Sequence, residues 1–158
     1  MKHLPKHLQP RWRYLAVAIE TWPDADLDRR AFQREAWYAT QNLLGDVGSA
    51  DADLTVIRFA HDDGAGHAVV RVRRGQTDAA RAALACIDSV DDAPVGLRIT
   101  GTSGTVRACE EKYIRGPAKS SGQRHVVFED RERRALTRDG RVDVHTDDGF
   151  VGATDLDI

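Results

Sequence analysis

The chain has 158 residues, enough for one hydrophobic core with an appendage, since domains cluster near ~100–150 residues. Its 41% hydrophobic content suits a globule, and no run approaches the ~18 apolar residues of a membrane-spanning helix. A formal net charge of −2 gives no overall pull on polyanions, so any nucleic-acid contact must come from local basic groups.

Residues 1–10 carry Lys2, Lys6, Pro5 and Pro10 and read as a basic N-terminal arm. Met1 to Leu8 lacks the apolar stretch of a signal peptide, so a cytoplasmic location is expected. From Arg11 the sequence alternates, with Leu15, Val17 and Ile19 on one face of a first strand and Trp12, Tyr14, Ala16 and Ala18 on the other. Trp22-Pro23 ends it. Asp24 or Asp26 then caps a helix predicted to run to Leu44, where Gly45 stops it. Phe32, Ala36, Ala39 and Leu43 form its inward stripe, and Arg29, Arg30 and Arg34 mark its outer side.

A second strand over 53–61 places Ile57 and Phe59 on one face and Val56 and Arg58 on the other. The turn Asp62-Asp63-Gly64-Ala65-Gly66 joins it to a third strand over 67–74, with Val70 and Val72 opposite Val69, Arg71 and Arg73. Turn chemistry accounts for Asp62 and Asp63 without a metal ion. Thr77 caps a second helix with Ala80, Leu84 and Ile87 inward, and Val95 to Thr100 forms a fourth strand. Strand, helix, strand, strand, helix, strand is the order of a ferredoxin-like or RRM-like α/β (α+β) sandwich: four antiparallel strands with two helices on one face. The other face is then basic, with Tyr14, Arg58, Val69, Arg71, Arg73 and Arg98. It lacks the aromatic pair that stacks bases on the third strand of an RRM.

Gly101 to Tyr113 connects the last strand to a third helix, predicted over 105–114. Ser103 or Thr105 can cap it, and Arg107, Lys112 and Arg115 follow its free N–H groups, a combination that suits a phosphate. This helix either projects from the sheet or folds over the basic face through Val106, Cys109 and Tyr113. Glu110 and Glu111 point in different directions, and Glu111 is spaced to pair with Arg107 or Arg115. Residues 11–115 thus form the core domain. Residues 116–158 form a charged C-terminal extension, with linker residues Pro117 and Lys119, a hairpin of His125–Phe128 with Arg141–His145, and an acidic end at Asp147, Asp148, Asp155 and Asp157.

Cys86 and Cys109 each stand alone, without a partner at metal-ligand spacing, and read as small buried residues. There is no P-loop, no Gly-x-Ser-x-Gly, no His-Glu-x-x-His and no clustered set of carboxylates at strand ends, so no catalytic residues are expected.

Several segments carry a resemblance: Leu4-Pro5 with Arg11 to Leu15, Trp37-Tyr38-Ala39, Asn42 to Gly45, Val69 to Gly75, and above all Ser103 to Tyr113. Together they resemble the archaeal ribonuclease P protein component 2 family, over roughly residues 4 to 115. The excess of Arg over Lys and of Asp over Glu resembles the salt-adapted archaeal type. The resemblance implies a protein subunit of the ribonucleoprotein that removes the 5′ leader from precursor tRNA, an endoribonuclease whose RNA does the chemistry and holds Mg2+. This chain would bind no cofactor itself. Its implied partners are ribonuclease P RNA, precursor tRNA, a barrel-fold ribonuclease P protein and the other protein subunits, with no membrane. Carried over by residue type, Ser103, Thr105, Arg107 and Lys112 are the RNA-contact candidates, with Arg11, Arg13, Arg73 and Arg74 behind them. An alternative reading is a ferredoxin-like regulatory or small-ligand-binding domain that self-associates.

Overall fold

Alternation in the first strand decides which sides of the sheet are packed. In β1 (Trp12–Thr21), Leu15, Val17 and Ile19 turn to one side and are 0–1% exposed, yet Ala16 on the reverse side is 0% exposed too. A strand buried on both faces needs cover on both, and the fold supplies it. The computed structural model describes residues 5–114, 120–138 and 141–153. Lys2, Arg115, Pro117, Lys119, Asp155 and Asp157 lie outside the described residues.

The remaining elements are α1 (Arg29–Ala52), β2 (Thr55–Asp62), β3 (Ala65–Arg73), α2 (Thr77–Ala85), β4 (Ser89–Val90), β5 (Ala93–Ser103), α3 (Val106–Tyr113), β6 (Ser120–Phe128), β7 (Arg131–Arg138), β8 (Arg141–Thr146) and β9 (Gly149–Ala153). The first sheet runs β2-β3-β1-β5-β4, with every pair antiparallel. It has five strands where the sequence predicts four. The reason is local: Asp91 and Asp92 both take positive φ, 47° and 65°, giving a two-residue turn that folds Ser89 and Val90 back onto Pro94 and Ala93. Asp63-Gly64 closes the β2–β3 hairpin in the same way.

Two helices cover one face, as the pattern predicts. Phe32 and Ala36 of α1 and Ala80 and Leu84 of α2 join Leu15, Val17, Ile19, Val70 and Val72 in one apolar cluster. Three details differ from expectation. Asp28, rather than Asp24 or Asp26, caps α1 by accepting from the Ala31 N–H at 2.7 Å. Gly45, at φ 73°, kinks α1 instead of ending it, and helix resumes to Ala52. A bulge at Ile57 shifts the phase of β2, so Val56 and not Ile57 enters the core with Phe59.

The extension folds as a second sheet, β6-β7-β8-β9. The predicted hairpin does not form directly, because the charged stretch 131–138 becomes β7 and lies between the two strands. Its alternation explains why: Ala135 turns to the sheet's own cluster with Val126, Val142 and Val144. Leu136 and Arg138 turn the other way and are 0% and 1% exposed. Arg138 is the anchor to the first sheet. Its guanidinium donates to the carbonyls of Gly64, at 2.6 Å, and Thr21, and pairs with Asp143 at 3.2 Å. Around it, Trp22 meets the His145 ring edge-on and the Arg134 guanidinium, and Arg141 bonds Glu20 at 2.6 Å. His61, beside Thr21 at 2.9 Å, is held below its ordinary pKa by burial, with the charge of Arg138 acting in the same direction.

A buried arginine with two carbonyls and a carboxylate is costly to truncate, because its partners stay buried without a donor. Replacing Arg138 by Ala is expected to lower stability by about 3 kcal/mol. Hydrogen exchange should then rise across β7 and β8 while β1 and β3 stay protected. Unchanged exchange in the extension would show that Arg138 is not its anchor.

Candidate nucleic-acid interface

The third helix folds over the second face of the sheet. Cys109 packs against Ala16 and Val69, all 0% exposed, with Tyr14, Tyr113 and Ile114 around them. Gly101 makes this possible, since a Cβ there would collide with the Tyr113 ring. The Cys109 thiol points at the Tyr14 carbonyl, 3.7 Å away, and burial pushes its pKa up to about 11, with Glu110 adding to the effect. The expectation that both cysteines are buried holds for Cys109 alone, because Cys86, the residue after α2, is exposed.

Antiparallel register gathers most of the candidate residues at one end of the sheet. Trp12 pairs with Arg73, and Tyr14 pairs with both Arg71 and Ser103. The start of β1, the end of β3 and the end of β5 therefore meet where α3 begins. Arg11 and Arg74 extend this end, joined by the Arg74 N–H donating to the Arg11 carbonyl at 2.9 Å. Arg13 reaches across to the turn, its Nη1 3.4 Å from where a Cβ on Gly104 would stand. Thr105 is the cap, its hydroxyl accepting from the Ala108 N–H at 3.1 Å. Arg107 lies in the first turn, 88% exposed and paired with Glu111 at 2.8 Å.

Two candidates sit differently. Ser103 is 8% exposed, and its Oγ is buried without a hydrogen-bond partner, so it faces the α3 side of the sheet rather than solvent. Lys112 is exposed in the last turn of α3, away from the cluster around Thr105. Sequence reasoning missed Trp12 as part of this site. Its ring carries the Arg71 guanidinium at 4.0 Å and that of Arg73 at 5.3 Å, which fixes the planes of two arginines. The signal was available in alternation, because Trp12, Arg71 and Arg73 share a face, but their pairing depends on register.

The electrostatics are one-sided. Arg11, Arg13, Arg71, Arg73, Arg74 and Arg107 gather there; among the described residues Arg73 pairs with Asp53 at 3.3 Å and Arg107 with Glu111, and Asp51 lines a pocket with Arg73 and Arg74. Fixed guanidinium forks beside the free amides of a helix start bind anions, phosphate oxygens in particular. Among the described residues no group of His, Cys, Asp and Glu could hold a metal ion.

The fold defines an α+β protein whose first sheet ends in a cluster of arginines beside the capped start of a helix. Residues 13–114 match the Rpp14/Pop5 family, and the chain belongs to it. "Ribonuclease P protein component 2" of Haloarcula marismortui is 67% identical over 160 residues, covering 100% of this chain and 99% of that protein. The protein of the same name from Methanopyrus kandleri is 30% identical, with 88% of each chain covered. A chain from a cryo-EM structure of yeast ribonuclease MRP aligns with a TM-score of 0.49 at 16% identity, covering 63% of this chain and 79% of that one. The family match ends at the close of α3, and β6 to β9 lie beyond it.

The seat of α3 can be read through its cysteine. At pH 8 a soft alkylating reagent should modify Cys86 and spare Cys109, whose thiol is buried and protonated. Gly101→Ala should displace α3 and open Cys109 to the reagent, detected as a second adduct by mass spectrometry. A single adduct in both proteins would contradict the packing of Tyr113 on Gly101.

Proposed function

We infer that this chain acts as a protein subunit of ribonuclease P, the ribonucleoprotein that removes the 5′ leader from precursor tRNA, with the bond cleavage carried out by its RNA. The observation that carries the role of the site is the convergence of Arg11, Arg13, Arg73, Arg74 and Arg107 on the start of α3. These groups hold phosphates of folded RNA and position it, without reading bases. Ser103 supports this end from beneath, and Lys112 gives a second, more distant phosphate contact. Metal ions, Mg2+ above all, are held by the RNA. The strands β2-β3-β1-β5 keep the ferredoxin-like order, with β4 as an added edge.

A protein subunit also needs a protein-facing side. Trp37, Tyr38, Leu43 and Val47 of α1 are 47–77% exposed. Tyr38 and Leu43 border a groove of about 320 Å3 with Asn42, Cys86 and Ile87. A groove of this kind, bordered by exposed apolar side chains on the face opposite α3, suits the barrel-fold protein subunit. Work alongside these partners places the chain in the cytoplasm.

Reconstitution of the holoenzyme tests the reading. The Arg107→Ala/Lys112→Ala chain should fold normally, bind the RNA several-fold more weakly, reduce the slope of log affinity against log salt by about two, and raise the magnesium requirement for cleavage. Wild-type affinity, salt slope and cleavage in the double variant would remove these residues from the interface.

A further inference from the structure

The two edges of the first sheet are treated differently. On the β2 edge, Arg29 donates to the Val56 carbonyl at 2.7 Å and Gln33 accepts from the Val56 N–H at 2.6 Å, so α1 side chains occupy both backbone groups of that residue. On the β5 edge, β4 pairs with Ala93 and Pro94 alone, and the Val95 N–H is taken by the Asp88 carbonyl. Beyond that point no described residue continues the ladder on this edge, although β5 runs on to Ser103.

Register tells which groups are left. The Thr21 N–H donates to Gly64 on the β3 side, so odd-numbered residues of β1 bond towards β3 and even-numbered ones towards β5. Ala18 and Glu20 therefore bond their partners Arg98 and Gly96. Leu97 and Ile99 direct their N–H and C=O groups outward, away from β1, and the extra residue at Thr100, between the pairs Val17–Ile99 and Ala16–Gly101, makes Thr102 the next residue to do so. Their side chains line a groove of about 310 Å3 with Leu84 and Ala85 of α2, and Arg81 and Arg98 border it. Arg98 is exposed on the opposite face of the strand from Leu97 and Ile99, and Arg81 is exposed on α2.

We propose that the open edge of β5 from Leu97 to Thr102 accepts an extended segment of a partner protein as an added strand, one in which apolar residues alternate with carboxylates. The backbone chemistry selects a strand, because the donors and acceptors of Leu97 and Ile99 recur at strand spacing. The groove selects apolar side chains on one face of that strand, and Arg98 selects carboxylates on the other. The rim charge at Arg81 favours the same partner. This surface is distinct from the basic sheet end, and its test does not depend on ribonuclease P activity.

The probe is the peptide acetyl-Asp-Val-Asp-Val-Asp-Val-amide, titrated into the full 15N-labelled chain. Chemical-shift changes are expected to centre on Leu97 to Thr102, with amide exchange of Leu97 and Ile99 slowed by about tenfold or more. Arg98→Glu, at an exposed position, should keep the free spectrum, lose affinity for this peptide and gain affinity for its lysine-for-aspartate counterpart. No binding, shifts centred elsewhere, or equal affinity of wild type and Arg98→Glu for the acidic peptide would each overturn the proposal.

Discussion

Gly101 has no side chain, and the Tyr113 ring fills the space that a Cβ would need. That single close approach lets α3 lie flat on the sheet and bury Ala16, Val69 and Cys109 behind it. Without that cover, β1 would expose an apolar strip, and the broad face would be open as it is in sheets that stack RNA bases. With it, the second face is covered at its centre, and the RNA contact proposed for this chain lies at the strand ends. The arginines of β1 and β3 gather there beside the capped start of α3, and together they make up the proposed anion-binding edge.

The opposite end of the same sheet is occupied by the C-terminal extension. Arg138 penetrates to the Thr21 and Gly64 carbonyls, Trp22 is clasped between His145 and Arg134, and Phe150 lies over Gly96. An arginine fits this place better than a lysine, since its planar fork serves two carbonyls and Asp143 at once. Burial and the neighbouring Glu20 raise the pKa of Asp143, and Arg138 opposes them. Among the described residues the two ends of the sheet thus differ, one rich in arginine and the other packed against the chain's own second sheet. In concentrated salt, where the Debye length shrinks to ~3 Å, such short, directed contacts retain value that long-range charge attraction loses.

The order of the elements was legible in the sequence because strict alternation in β1 and β3 and the 3.6-residue stripe of Phe32 and Ala36 are strong local signals. What failed was set by single residues acting non-locally. Gly45 reads as a helix stop, yet the chain resumes helix beyond the kink. Ile57 looks like a core position until a bulge shifts its phase. The charged segment 131–138 falls between the two strands of the predicted hairpin, yet Arg138 is buried because two distant backbone carbonyls need a donor. In the candidate interface, the structure brings Arg13, Arg73, Thr105 and Arg107 to one end of the sheet, and the burial of Ser103 and the stacking of Trp12 depend on pairing that no local pattern contains.

The central claim is that RNA meets the end of the sheet while α3 stays seated on the centre of its second face. Hydrogen exchange of this chain, free and within the reconstituted ribonucleoprotein, measures it directly. Slower exchange at Arg13 and Tyr14, Arg73 to Gln76 and Gly104 to Arg107, with Ala16, Val69 and Cys109 protected throughout, is the predicted result. Faster exchange at Ala16 and Val69 on RNA binding, as α3 lifts away to expose the sheet, would contradict it.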